Sequence, residues 1–301
     1  MPSVDCNYKL PYWFRQEIPD KDIFERLEFL KDSVVHTVCQ EARCPNLSFC
    51  FKHSSLTFLI LGPGCTRNCR FCAVDKAGLE GGLGLDLNEP YRIAEVVRVL
   101  GLAYVVITSV TRDDLSDGGA AIFAKTIELL RSHNKNIRIE ILIPDFQGKV
   151  SSLECVVKAM PDVLAHNLEM PSRLYSELRP SANYRLSLGV LAKIKKINPG
   201  LITKSSLMLG LGELDAEIIQ TMEDLRMAHC DILTLGQYLA PSPKHYPVKE
   251  FISPEKFERY KELGLSLGFT AVFSGTLVRS SYQAEEAYQE VADNLFTKSI
   301  D

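Results

Sequence analysis

Six cysteines stand in two groups of three along a short stretch of this chain. Cys39, Cys44 and Cys50 read CxxxxCxxxxxC, and Cys65, Cys69 and Cys72 read CxxxCxxC. The intervening loops are short enough to turn three thiolates toward one centre. Three is the informative number, because structural zinc takes four ligands, normally from CxxC pairs. Neither triplet has a fourth cysteine nearby or a histidine at knuckle spacing, although His53 lies just past Cys50. A four-iron–four-sulfur cluster has four irons to ligate, so three thiolates leave one iron open to a substrate or cofactor. The bland readings are buried small hydrophobes, a zinc knuckle shared across the triplets, or a ferredoxin-like electron carrier. The first would scatter the cysteines, the second would strand two thiols, and the third would leave most of the chain idle. Cys6, Cys155 and Cys230 read as free or core thiols.

The elements that must position these triplets alternate between β-rich apolar runs and segments of helical period. Candidate strands are Leu56–Leu61, Ala103–Val110, Arg138–Ile143, Val163–Glu169, Ile202–Leu209 and Ile232–Leu239. They are continuous apolar runs, as expected of parallel strands covered on both faces. Helical candidates are Tyr91–Leu100, Ala120–Ser132, Ser151–Ala159, Tyr184–Ile197, Ala216–Ala228 and Pro254–Leu267, the last with Ser253 as N-cap before a proline. Six βα units in series argue for a parallel α/β sheet, whether closed, curled into a partial barrel, or open and doubly wound. The second triplet opens within Gly62-Pro63-Gly64-Cys65-Thr66, in the loop after the first strand, on the edge where α/β barrels carry chemistry. A helical piece, Lys21–Val34, precedes the series. A strand-like stretch, Thr270–Leu277, and a helix, Tyr282–Leu295, follow it. With no repeat, linker or composition break, the 301 residues read as one domain with two extensions.

Composition excludes several classes. The apolar share of 46% and charged share of 24% are those of an ordinary globular chain, neither disordered nor collagenous. A net charge of −4 offers no basic footprint for nucleic acid. The N-terminus has no apolar core for a secretory signal and is too acidic for a transit peptide. No run approaches the roughly 18 apolar residues of a membrane span. A cytoplasmic, reducing location is therefore expected, where clustered cysteines are metal ligands or catalytic groups more often than disulfides.

The CxxxCxxC at the end of the first strand, with Phe71 before its last cysteine, resembles the signature of the radical S-adenosylmethionine enzymes. That resemblance implies a partial barrel of about six βα units. It also implies a cluster on Cys65, Cys69 and Cys72 whose open iron is chelated by S-adenosylmethionine, giving a radical that takes hydrogen from an unactivated carbon. The upstream Glu41-Ala42-Arg43-Cys44-Pro45-Asn46 with Cys50 looks like the auxiliary-cluster motif of the lipoyl synthase family. Further matches are Val105–Val110, Arg112–Leu115, Asp117–Gly119, Ile143–Phe146, Gly210–Glu213, Gly236–Leu239 and Arg279-Ser280-Ser281-Tyr282. The resemblance covers about residues 35–285. It implies two four-iron–four-sulfur clusters, the second held by Cys39, Cys44, Cys50 and a serine, Ser281 in preference to Ser280. The family uses that second cluster as sulfur donor, inserting two sulfurs at C6 and C8 of an octanoyl group on a carrier-domain lysine. The implied division is 1–54 as an extension with the upstream triplet, 55–268 as the barrel, and 269–301 as an extension with the serine. Implied partners are octanoylated lipoyl domains of 2-oxoacid dehydrogenases or the glycine cleavage H protein, and a reduced ferredoxin or flavodoxin type donor. The alternatives are a biotin-synthase-like enzyme with another substrate, and a non-enzymatic iron–sulfur or zinc module. Without the resemblance, Ser280-Ser281 reads as the N-cap of the terminal helix.

Secondary candidates follow. In His166-Asn167-Leu168-Glu169, strand alternation points Asn167 and Glu169 to one side. Related radical enzymes use such a pair on the ribose of S-adenosylmethionine; a structural polar network is the other reading. The family commonly has Asn where this chain has Ala165. Arg112, Asp113 and Asp114 suit either a turn or a ligand contact, and Gly210 and Gly212 either a close backbone approach or a plain turn. Arg67, Arg70, Arg112, Lys149, Lys244 and Lys249 are candidates for a basic rim or for ordinary solvated surface. Glu213, Lys204 and His245 have no role legible in sequence.

Overall fold

The computed structural model describes residues 10–15, 21–42, 44, 46, 47, 50, 56–76 and 84–297. Cys6, Arg43, Pro45 and His53 lie outside the described residues. Strands β1 (His36–Thr37), β2 (Thr57–Ile60), β3 (Tyr104–Ser109), β4 (Arg138–Leu142), β5 (Val163–Ala165), β6 (Ile202–Leu209), β7 (Ile232–Gln237) and β8 (Ala271–Gly275) form one sheet in chain order. β1 is antiparallel to β2, and every later pairing is parallel. The helices are α1 (Lys21–Asp32), α2 (Val38–Glu41), α3 (Glu89–Leu100), α4 (Ala120–His133), α5 (Val150–Lys158), α6 (Tyr175–Leu178), α7 (Tyr184–Ile197), α8 (Asp215–Met227), α9 (Pro254–Ser266) and α10 (Ala284–Thr297).

Local signals account for these bounds. Asn183 accepts the Leu186 N–H at the start of α7, and Ser253 accepts the Lys256 N–H before Pro254 at the start of α9. Gly101, at φ 63°, closes α3 in the left-handed conformation. Two expectations are corrected. The fourth expected strand keeps regular pairing only through Ala165; beyond it the His166 N–H still reaches the Lys204 carbonyl of β6, and an isolated bridge joins Glu169 to Leu207. Glu169 itself sits at φ 71°, in the left-handed region. The terminal helix begins at Ala284 and not Tyr282, because the Tyr282 N–H closes a turn on the Arg279 carbonyl.

The curvature of the sheet follows from what α10 touches. Val163, Ile202, Ile232 and Ala271, the first residues of β5 to β8, pack with Ala287 and Val291. Tyr104, the first residue of β3, packs with Ala284 and Tyr288. In a flat sheet β3 and β8 would lie about 24 Å apart, at ~4.8 Å per strand. Ala284 to Val291 covers only about 10 Å of helix axis. The sheet must therefore curl around α10, which fills the N-terminal end of a partial barrel. The helices α3 to α5 and α7 to α9 cover its outer face in two apolar clusters.

Just above α10 the lumen holds a buried ion pair. Lys204 Nζ donates to both Glu140 oxygens at 2.9 and 3.0 Å, and the Tyr104 hydroxyl donates to the same carboxylate at 2.9 Å. Both charges are almost wholly buried. Lys204→Met leaves Glu140 uncompensated, which costs about 3–5 kcal/mol. Urea unfolding of the purified variant, followed by circular dichroism, measures that loss directly.

Candidate functional site

The Cys65–Cys72 loop leaves β2 through a left-handed turn at Leu61 (φ 72°) and Gly62 (φ 79°). Buried Glu89, at the first position of α3, accepts both N–H groups, at 2.7 Å from Leu61 and 3.3 Å from Gly62. The loop is then tied to four other strand ends. The Thr66 N–H donates to the Thr111 carbonyl after β3, and the Arg70 N–H to the Leu178 carbonyl after β5. The Tyr246 N–H, beyond β7, donates to the Arg70 carbonyl. His245 Nε2 donates to the Cys72 carbonyl at 3.1 Å. Arg67 forks onto Asp113 after β3, at 2.8 and 3.0 Å, and onto Asp145 after β4, at 2.6 and 2.7 Å. The triplet thus sits on the C-terminal edge of the sheet, as its spacing implied.

Electrostatics tie the three thiols into one group. Burial raises Cys69 above the ordinary thiol value, Cys65 and Glu169 adding to that while Arg179 and Arg67 oppose it. Burial also pushes Cys72 up to about 11, with Cys69, Cys65 and Glu169 raising it further. Cys69 and Cys72 therefore hold their protons at neutral pH until a cationic centre replaces them. Any metal bound there would have to displace those protons, because the thiolate is the form that ligates. Among the described residues, no three His, Cys, Asp or Glu side chains converge as they would on one metal ion.

Asn167 and Glu169 lie just past the end of β5, and Leu168 between them packs into one of the outer apolar clusters. Asn167 Nδ2 donates to Glu169 Oε1 at 3.1 Å, and the buried Asn167 Oδ1 has no hydrogen-bond partner among the described residues. Burial raises the Glu169 carboxyl, against the pull of Arg179 and Asn167. An acceptor with no donor and a carboxylate coupled to Cys69 and Cys72 fit a polar ligand carrying hydroxyls and an amine beside the triplet. His166 donates from Nδ1 to the Ile143 carbonyl at 2.9 Å, and burial drops it to about 4, so it is neutral.

The upstream triplet lies elsewhere on β2. Cys39, on α2, takes a backbone hydrogen bond from Thr57, the first residue of that strand. Burial, then Cys44 and Cys50, drives Cys39 far above the usual thiol range, and burial and Cys44 push Cys50 up to about 12. The segment after β8 meets this group. Asn46 Nδ2 donates to the Leu277 carbonyl, Arg279 is charge-coupled to Cys44, and Tyr282 to Cys50. Ser280 and Ser281 precede α10 by more than one residue, so the capping reading of that pair fails.

The structure alters several other readings. Arg67 and Arg112 are buried, so they do not form a basic rim; Arg112 pairs with Asp114 at 2.7 Å and reaches the Leu61 carbonyl at 3.3 Å. Lys204 is consumed by Glu140. Glu213 accepts the Gly210 and Leu211 N–H groups at 2.6 and 2.8 Å, shaping the turn after β6. Gly210 needs its missing side chain there, because a Cβ would meet the Glu250 carbonyl oxygen at 2.4 Å. Cys155 is half-buried on α5 and Cys230 fully buried before β7, as core thiols are. Sequence reasoning missed Glu89, Asp145 and Arg179. An arginine inside the cysteine motif, with an aspartate after each of the next two strands, was the available signal for Asp145. Arg179 had none.

The Radical SAM superfamily matches residues 59–225 of the chain, more than half of it. A lipoyl synthase of Caldicellulosiruptor saccharolyticus is 51% identical over 279 residues, 92% of this chain and 97% of the relative. One of Caldanaerobacter subterraneus is 50% identical over 275 residues, 91% of this chain and 95% of the relative. One of Thermus thermophilus is 48% identical over 282 residues, 93% and 87% respectively. Among solved structures, the FeFe-hydrogenase maturase HydG from Carboxydothermus hydrogenoformans superposes with a TM-score of 0.58 at 14% identity, covering 90% of this chain and 68% of that one. Methylornithine synthase superposes at 0.53 and 15% identity over 69% of this chain and 62% of that one. These two share the curled α/β fold.

The raised thiols predict a pH dependence. Each binds its proton more tightly folded than unfolded, where a thiol titrates near about 8.5. In the metal-free chain their contribution to stability is therefore intact below that pH and declines as pH rises through it. Urea midpoints of the metal-free chain should fall between pH 7 and pH 10, and loading with iron and sulfide at pH 7 should release protons measurable by pH-stat.

Proposed function

The chain belongs to the lipoyl synthase family of radical S-adenosylmethionine enzymes, and from that premise we propose that Cys65, Cys69 and Cys72 hold the radical-generating cluster while Cys39, Cys44, Cys50 and Ser281 hold the sulfur-donating one. The enzyme is a sulfurtransferase whose cofactors are two four-iron–four-sulfur clusters and S-adenosylmethionine. Bound, these supply an electron that cleaves the sulfonium, a radical able to take hydrogen from an unactivated C–H bond, and the sulfur that replaces it. The observation that carries the ligand assignment is the meeting of the Leu277–Tyr282 segment with Cys44, Asn46 and Cys50, across more than two hundred residues of chain.

The chain's own residues then have distinct tasks. Asn167 and Glu169 stand beside the first triplet, where the Asn167 oxygen and the carboxylate would hold hydroxyl and amine groups of S-adenosylmethionine. Arg279 donates to the Gln237 and Val278 carbonyls, both at 2.9 Å, fixing the strap that carries Ser281. A hydroxyl is a weaker soft-metal ligand than the three thiolates beside it, which suits a cluster that must surrender sulfur. In this reading residues 1–54 and 269–301 form the donor site together, and 55–268 the radical site. The carriers would be octanoylated lipoyl domains of 2-oxoacid dehydrogenases or the glycine cleavage H protein, and the electron donor a ferredoxin or flavodoxin. No helix among the described residues is long and apolar enough to cross a membrane. Arg70, Lys149, Lys244 and Lys249 remain exposed for a carrier to meet, and a cytoplasmic site of action is part of the same proposal.

Iron and sulfide analysis after anaerobic loading tests the assignment: about eight irons per chain, falling to about four when either triplet is replaced by alanines. Zinc without sulfide would remove it. Given an octanoylated carrier domain, reductant and S-adenosylmethionine, the wild type should add two sulfurs by mass. Ser281→Ala should abolish that gain while deoxyadenosine still forms, whereas Ser280→Ala should leave it in place. The same outcome for both serines would reject Ser281 as the ligand.

A further inference from the structure

Arg67 lies inside the first cysteine triplet, two residues from Cys65 and two from Cys69, yet its side chain is only 5% exposed. Its own N–H is directed at Cys65 Sγ, at 3.4 Å. Its guanidinium makes two forks at once. One grips both oxygens of Asp113, and the other both oxygens of Asp145. The two aspartates are 46 and 78 residues away and stand beyond the C-terminal ends of β3 and β4. Few side chains could do this, because only a planar fork presents paired donors on two sides.

The partners are themselves fixed. Asp145 is 1% exposed and accepts the Gln147 N–H at 2.9 Å. Phe146, Gln147 and Gly148 follow it in three successive left-handed conformations, at φ 45°, 52° and 74°. The Gly148 N–H closes the turn on the Asp145 carbonyl at 2.8 Å, and Lys193 Nζ donates to the Gly148 carbonyl at 3.0 Å. Buried Phe146 packs edge-on against Phe123 of α4. Non-glycine residues hold that conformation only where the surroundings overdetermine it. Here the result is that both Asp145 oxygens face Arg67. Asp113 is held in turn by Gln147 Nε2 at 3.2 Å, so one strained turn braces both carboxylates.

We propose that Arg67 is a positioning residue for the radical-generating site, its double fork to Asp113 and Asp145 setting where the Cys65–Cys72 loop stands over the strand ends. This rests on the reading that Cys65, Cys69 and Cys72 hold that cluster. The double fork ties the loop to the ends of two strands through residues 46 and 78 positions away, so long-range ion pairs take part in placing it. Arg67 touches no reacting atom; it acts through the two cysteines that flank it.

The test uses the anaerobically loaded, full-length enzyme without any carrier. S-adenosylmethionine binding is titrated through the electron paramagnetic resonance spectrum of the reduced cluster. In wild type, one spectral species should shift to another on titration. Arg67→Lys keeps the charge but loses both forks, so its affinity for S-adenosylmethionine should fall about tenfold or more and its spectrum split into several species. Asp113→Asn, on the less buried fork, should move both readouts in the same direction by a smaller amount. A charge role alone would leave Arg67→Lys near wild type, and affinity within about twofold with an unchanged spectrum overturns the proposal. If the Arg67 variant fails to fold, Asp113→Asn decides: a wild-type spectrum and affinity there overturn it equally. Loss of the S-adenosylmethionine-dependent shift in wild type itself would instead overturn the assignment of the triplet.

Discussion

The segment after β8 crosses the inner face of β7 so closely that no side chain fits beneath it. A Cβ on Gly236 would stand 1.8 Å from the Val278 carbonyl oxygen, which is backbone and does not yield as a flexible side chain would. Arg279 locks the crossing by donating to the Gln237 and Val278 carbonyls. Everything beyond depends on that contact. It sends Arg279–Tyr282 toward Cys44 and Cys50, and it delivers α10 to the N-terminal end of the lumen, where α10 touches β3 and β5 to β8 together. The curl of the sheet and the approach of Arg279 and Tyr282 to the upstream triplet are thus two results of one close passage.

Buried charge is handled differently at the two ends of the lumen. Toward α10, Lys204 and Glu140 neutralise each other within hydrogen-bond distance, and the pair has no further work in view. Around the first triplet the charges are left incomplete. Glu169 and Arg179 influence each other and Cys69, yet among the described residues the Arg179 guanidinium lies over the Tyr175 ring and donates to the Asn167 carbonyl at 3.3 Å and the Tyr175 hydroxyl at 3.4 Å, not to Glu169. Asn167 keeps an acceptor unsatisfied. Unsatisfied groups in a dry interior are costly, so they persist where a ligand completes them. Arg67, by contrast, makes four hydrogen bonds to two carboxylates of its own chain. The site joins a finished frame to an unfinished lining.

Much of the scaffold was legible because it is locally encoded. Tyr184–Ile197 and Ile202–Leu209 have the bounds read from sequence, one starting at a capping Asn183 and the other a continuous apolar run. The cysteine triplets were legible because their spacing is itself the signal. What escaped are contacts between residues far apart in the chain or elements too short to show a period. β1 is two residues long and finds its place only against Leu59 and Phe58. Arg67 looked like rim charge because one position in a loop does not reveal carboxylates 46 and 78 residues on. The expected fourth strand ran through Glu169, but regular pairing with β4 and β6 ends at Ala165, and the left-handed backbone at Glu169 is not signalled by its residue type.

β2 relates the two cysteine groups to each other. The Thr57 backbone bonds Cys39, while the chain past Ile60 turns at once into the loop carrying Cys65. Three residue steps of strand cover only about 10 Å. The two cysteine groups are therefore tied to the two ends of a single short strand, which pairs with β1 on one side and β3 on the other. Such a layout makes rigidity of the β2 exit, held by Glu89, Arg112 and Arg67, more consequential than any loop at the surface.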